Sequence, residues 1–293
     1  MFISNNLSAA PRILSGDDIW LWNWQPTILI GLAALTAGYL LLSRALHRRD
    51  PVRSTSWPRQ LAFHLGTLVA FLALVSPIDH LSDEFLLSAH MVQHLLLLVV
   101  APPLWLLGIP PAWFAAATLK RWPGGLWRRL TRPVAAFLIF NGVLWIWHIP
   151  ALYDAALLNE SVHIFEHLMF LAAAVVGWWP ALGCLPLIAP RSSYPVQIFY
   201  LFAMMMSSTA LGAFISLARA PIYPFYINAP AVLNGLVMPR LTPGPRLWGL
   251  SVMDDQQLAG LVMWMPGNLI FFLALMVVVA LWLRDQERQA RKI

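Results

Sequence analysis

Two pairs of histidines at helical spacing carry most of the chemistry this sequence offers. His90 and His94 stand in His90-Met91-Val92-Gln93-His94, and His163 and His167 in His163-Ile164-Phe165-Glu166-His167. Residues four apart share one helix face a turn apart. Each segment therefore presents two imidazoles in a stripe, with Glu166 at the edge of the second. Imidazole is the commonest metal ligand and suits copper, zinc and iron. His148 sits in Trp147-His148-Ile149-Pro150, and His80 follows Asp79. Thioethers favour Cu(I), and Met91, Met204, Met205, Met206, Met253, Met263 and Met265 are candidates. Each residue also has a plainer role. A histidine in an apolar helix hydrogen-bonds to a neighbouring helix. His148 beside Pro150 caps a helix end. Glu166 orients a ligating imidazole instead of binding metal. The Met204, Met205 and Met206 run fills core gaps.

The elements that position these residues are membrane helices. Hydrophobic residues make up 59% of the 293 and charged ones 11%, against about 45–50% and about 25% in soluble proteins. Mean hydropathy is +0.68. A soluble enzyme, a nucleic-acid binder and a disordered chain are all excluded on this ground. The single cysteine, Cys184, leaves no intrachain disulfide and no cysteine-based zinc cluster. Residues 1–16 lack the basic and apolar regions of a signal peptide. A spanning helix needs about 20 apolar residues. Seven runs meet this, at 26–46, 58–76, 86–107, 133–150, 161–180, 196–218 and 257–283. The expected fold is an all-α seven-helix membrane bundle in one transmembrane domain over 1–293. Pro102-Pro103 predicts a kink or an early end in the third run. Trp20, Trp22, Trp24, Trp145 and Trp147 read as an interfacial belt.

The net charge of +6 sets orientation rather than a nucleic-acid partner. Fifteen of the nineteen basic residues fall on one side: Arg44, Arg48, Arg49, Arg53, Arg59, Lys120, Arg121, Arg128, Arg129, Arg132, Arg191, Arg284, Arg288, Arg291 and Lys292. Arg12, Arg219, Arg240 and Arg246 fall on the other. The positive-inside rule puts the first set in the cytoplasm, with the N-terminus outside and the C-terminus inside. Most acids, among them Asp17, Asp18, Asp79, Asp83, Glu84, Asp154, Glu160, Asp254 and Asp255, then lie outside, where they attract cations. The third and fifth helices both run inward, so the two histidine pairs match in depth if these helices pack together. The proline-rich loop over 219–256 is outside too, as an ordered cap or a mobile lid.

Several stretches, taken in order, resemble a known family. They are Ser76-Pro77-Ile78-Asp79 through His90 and His94, Ala101-Pro102-Pro103-Leu104 with Leu107-Gly108, Trp147-His148, the His163–His167 segment, and Asp255-Gln256-Gln257-Leu258-Ala259-Gly260 before Met263-Trp264. Together they are similar to the CtaG family of cytochrome c oxidase assembly factors, of the caa3 type, over residues 20–285. The resemblance implies a multi-pass protein of the bacterial inner membrane. It implies a haem–copper oxidase catalytic subunit as partner, and copper supplied to its CuB centre. The expected site is copper held near the outer face by His90, His94, His163 and His167, with His148 added and Glu166 and Asp79 as supporting or alternate ligands. A periplasmic copper donor is an expected further partner, besides the lipid bilayer. Such a carrier makes no bonds and is not an enzyme. Two rivals remain: a membrane haem protein for electron transfer, with histidines as axial ligands, and a metal transporter, which needs polar groups through the full thickness, where the inner half offers His64 and Asn141.

Overall fold

In lipid a backbone N–H or C=O finds its partner only within its own segment, so the apolar runs fold as helices. The computed structural model describes residues 20–50, 55–110, 124–182, 192–233, 236–237, 244 and 247–291. Arg12, Asp17, Asp18, Arg53, Lys120, Arg121, Cys184, Arg191, Arg240, Arg246 and Lys292 lie outside the described residues, as do residues 1–16 and part of the 219–256 loop.

The described residues are all-α apart from one antiparallel pair of two-residue strands, Val232–Leu233 and Leu236–Val237. Their helices are α1 (Pro26–Arg49), α2 (Trp57–Val75), α3 (Pro77–Glu84), α4 (Leu87–Leu95), α5 (Ala101–Gly108), α6 (Gly124–Leu130), α7 (Pro133–Trp147), α8 (Pro150–Leu158), α9 (Glu160–Leu182), α10 (Tyr194–Ser216), α11 (Pro224–Ile227) and α12 (Val252–Ala290). Among the described residues six helices are long and apolar enough to cross a membrane. A seventh is added if α7 and α8, bent by 72° at His148-Ile149, count as one broken span. The chain is a multi-pass membrane protein. Proline opens α1, α2, α7 and α10, where a missing N–H leaves no bond unmade.

The third span neither ends nor breaks at Pro102-Pro103. A π-helical turn, Leu96–Val100, joins α4 to α5, and the span runs on to Gly108. The two prolines bring no N–H to this turn. The Trp178 indole of α9 donates to Leu98 O at 3.0 Å instead, which also ties the third span to the fifth. On the other side α10 and α12 approach at Gly212 and Gly260. A Cβ on Gly260 would stand 2.5 Å from Gly212 O, so the backbones meet only because both residues are glycine.

The two ends of the bundle differ in charge. At one end Arg48 and Arg49 close α1, Arg128 and Arg129 close α6, and Arg284 and Arg288 lie toward the end of α12. There Arg59 donates to Leu107 O and Ile109 O, each at 3.0 Å. At the other end α3, α8 and α11 form a cap. Tyr223 Oη donates to His148 O at 3.1 Å, Ile222 N to Gln256 Oε1 at 2.6 Å and Phe225 N to Asp154 Oδ1 at 3.3 Å. The described part of the 219–256 loop is thus packed down as a cap, and α12 begins at Val252, earlier than the apolar run at 257. Trp20, Trp22 and Trp24 are exposed, Trp22 stacking on Trp24 at 5.8 Å. Trp147 is buried and so belongs to the core instead of an interfacial belt.

Candidate metal centre

α4 and α9 place their histidine stripes face to face just beneath the cap. The His90 ring lies 5.7 Å from that of His163, and the His94 ring 6.0 Å from that of His167. Within each stripe the rings are 4.1 Å and 4.3 Å apart. The bend between α7 and α8 brings the His148 ring to 5.7 Å from His94. His90, His94, His148, His167 and Glu166 are all buried. Five imidazoles and one carboxylate from α4, α9 and the α7–α8 bend therefore meet in one place, with all but the His163 ring buried.

Hydrogen bonds around the cluster fix which nitrogens are free. His148 Nδ1 is 2.7 Å from Leu144 O. A carbonyl only accepts, so Nδ1 carries the proton and Nε2 keeps its lone pair. Tyr226 donates its hydroxyl proton to Ser82 O. Burial raises the pKa of that phenol, so it stays protonated. With its one proton committed, Tyr226 can only accept from His90 Nδ1, at 3.2 Å. His90 Nε2 is then the unprotonated nitrogen, and it faces His94 Nε2 at 2.7 Å.

Among the described residues, six buried imidazole and carboxylate atoms of the cluster have no hydrogen-bond partner: His94 Nδ1, His148 Nε2, His163 Nε2, His167 Nε2 and both carboxylate oxygens of Glu166. Leaving one such group unpaired costs roughly 1–3 kcal/mol. Six together are expensive for a structural cluster and suit a metal's donor set. His90, His94 and Glu166 each offer a donor atom within 4.8 Å of the others, and Glu166 Oε1 is 3.8 Å from His94 Nε2.

Asp79 stands apart from the rings. Its Oδ2 accepts from Asn23 Nδ2 at 2.6 Å and its Oδ1 from Gln93 Nε2 at 2.7 Å. Burial, reinforced by the Asp83 charge, pushes its carboxyl up to about 7. The carboxylate that reaches the cluster is Asp83, whose Oδ2 is 3.7 Å from His163 Nδ1. Asp83, His90 and His163 form a second group with donor atoms within 4.8 Å. Sequence reading placed Asp83 only among the outer acids. Its position seven residues before His90, across the turn from α3 to α4, was the available signal. Tyr226 gave no such signal, because it arrives from a loop 136 residues away.

The remaining candidates are elsewhere. His80 packs on Phe85 and His64 on Tyr39 and Phe63. Met204 Sδ is 3.4 Å from Asn141 Nδ2, while Met206 is exposed. Met263 and His94 line the same small cavity. The carboxylate of Asp255 on α12 accepts from Leu87 N at 2.8 Å, Ser88 N at 3.1 Å and Ser88 Oγ at 2.5 Å. It thereby caps α4, the helix that carries His90 and His94.

Uncharacterised proteins of Mycobacterium bovis and Mycobacterium tuberculosis are each 26% identical over 100% of this chain, and one of Mycobacterium leprae is 24% identical over 99%. The chain spans 43% of the length of these curated relatives. No solved structure matches. The model of the cytochrome c oxidase caa3 assembly factor family, Caa3_CtaG, matches residues 37–285, and the chain belongs to that family.

Proposed function

We propose that this protein carries copper for oxidase assembly. It binds the ion beneath the cap through His90, His94, His148, His163, His167 and Glu166, and passes it to the CuB centre of a haem–copper oxidase catalytic subunit docked beside it. The observation that carries this reading is the convergence of buried imidazoles whose free nitrogens and carboxylate oxygens lack hydrogen-bond partners. For a nitrogen and oxygen donor set, divalent copper stands at the top of the first-row affinity order. Copper is cargo here, and no covalent bond is made or broken, so the protein acts as a carrier rather than an enzyme. The arginine-rich end faces the cytoplasm of a bacterial cell and the capped end faces outward, where a periplasmic donor delivers the ion.

The rival readings fit less well. The cavity touching His94 measures about 20 Å³, whereas organic ligands occupy pockets of roughly 300–1,000 Å³, so a haem does not fit there. Toward the arginine-rich end His64 is packed against aromatic rings and Asn141 bonds to Phe137 O and Met204. Neither extends the cluster into a transport path.

Metal analysis of purified protein tests the proposal. Wild type should retain copper through gel filtration and the His90/His94→Ala variant should not. Equal copper in the two, or none in wild type after loading with Cu(II), refutes it.

A further inference from the structure

The cluster has two ends with different access to water. Asp83 exposes 33% of its side chain and His163 12%, whereas His94 and Glu166 each expose 1%. His90, at 0%, belongs both to the Asp83, His90 and His163 group and to the His90, His94 and Glu166 group. Asp83 sits beside the Ser82 hydroxyl, whose single proton also has Asp79 O in reach at 2.6 Å. Ser82 Oγ lies 3.0 Å from Asp83 Oδ1 and 3.0 Å from Gln93 Oε1. Oδ2 is left facing His163 Nδ1 at 3.7 Å, beyond hydrogen-bond length.

We propose that one copper ion moves between two stations that share His90: an entry station of Asp83, His90 and His163, and a resting station of His90, His94 and Glu166. The proposal rests on the copper-carrier reading above and adds the route by which the ion comes and goes. A hydrated ion first meets Asp83, the ligand closest to water. Asp83 and His163 each displace a bound water. Passing inward, the ion exchanges Asp83 and His163 for His94 and Glu166 while His90 stays bound, so at no point does it lose every protein ligand. Release reverses the order. Asp83 is therefore a ligand of the transfer rather than of the resting state, and its loss should slow exchange without emptying the site.

The test uses the full chain in detergent, stripped of metal and mixed with glycine-buffered Cu(II), with loading followed by quenching of tryptophan fluorescence. Unloading is followed after addition of excess chelator. Asp83→Asn should bind as many copper ions per chain as wild type but load and unload about tenfold or more slowly, the low end of what loss of a supporting group does to a metal site. Glu160→Gln, which removes an exposed carboxylate at the same end, should keep wild-type rates. If Asp83→Asn does not fold, Asp83→Ala carries the same test, because a side chain one-third exposed leaves a gap open to water. Wild-type rates in the Asp83 variant overturn the two-station proposal and make the Asp83–His163 contact a simple ion pair. Loss of copper capacity in a folded Asp83 variant overturns it as well, by making Asp83 a resting ligand. In both cases the carrier reading stands. It fails separately if wild type takes up no copper.

Discussion

His90 Nε2 lies 2.7 Å from His94 Nε2, with the two rings at 82° to each other. Two lone pairs cannot face each other at that distance, so either a proton or a cation lies between them. At 2.7 Å a proton on His94 Nε2 makes it a hydrogen bond; two nitrogens bound to one ion at about 2.0–2.1 Å are held roughly 2.8–3.4 Å apart, so an ion that replaces the proton needs only a small opening of the pair. Copper should therefore act as a folding ligand. At a hundredfold excess over its dissociation constant it adds about 2.7 kcal/mol. The melting temperature of wild type should rise on Cu(II) loading, and that of His90→Ala should not. Thermal melts with and without Cu(II) check this.

Asp255 accepts three hydrogen bonds at the start of α4. Its replacement leaves two buried N–H groups without an acceptor, at roughly 1–3 kcal/mol each. Asp255→Ala should lower the melting temperature and weaken copper binding together, since α4 carries two of the proposed ligands. An unchanged copper affinity would show that α4 is held without this cap.

Asp79 gives a pH dependence of defined sign. Burial lifts its carboxyl from the ordinary 3.8 to about 7, so the folded protein binds the proton more readily than the unfolded chain. The stability tied to the neutral carboxyl is complete below about 3.8. It is lost as pH rises through about 7 and is constant above that. Asn at this position does not titrate. The melting temperature of wild type minus that of Asp79→Asn should be largest near pH 4 and shrink toward pH 8. A gap that widens with pH contradicts the assignment.

Orientation is checked with fusions. A reporter active only in the cytoplasm, joined after the last helix, should be active. The same reporter inserted between Trp24 and Gln25 should be silent. The reverse pattern would put the histidine cluster on the cytoplasmic side.

Much of this architecture is legible in the sequence because lipid forces apolar segments to be helical and because spacing of four residues fixes a helix face. The histidine pairs of α4 and α9 are found that way, and their matched depth follows from the shared direction of the two helices. The π-helical turn at Leu96–Val100 is not legible, since it depends on Trp178 of another span supplying the missing donor. The 72° bend after Trp147 is hidden for a related reason: Pro150 marks a break, but only packing of α8 within the cap sets its angle. Asp83 and Asp79 look alike as a pair of acids four residues apart. Which one reaches His163 is settled by Asn23 and Gln93 engaging Asp79, and by Ser82 engaging Asp83.

The central claim is that both histidine stripes serve one metal centre. Copper per chain and melting temperature, measured for His90/His94→Ala, His163/His167→Ala and the quadruple variant, test it most directly. Residues acting on one centre are strongly non-additive. Either double variant should lose nearly all copper, and the quadruple variant should lose little more. Full copper retention in either double variant, with melting-temperature losses that add, would contradict the shared centre and leave the histidines as separate contacts between helices.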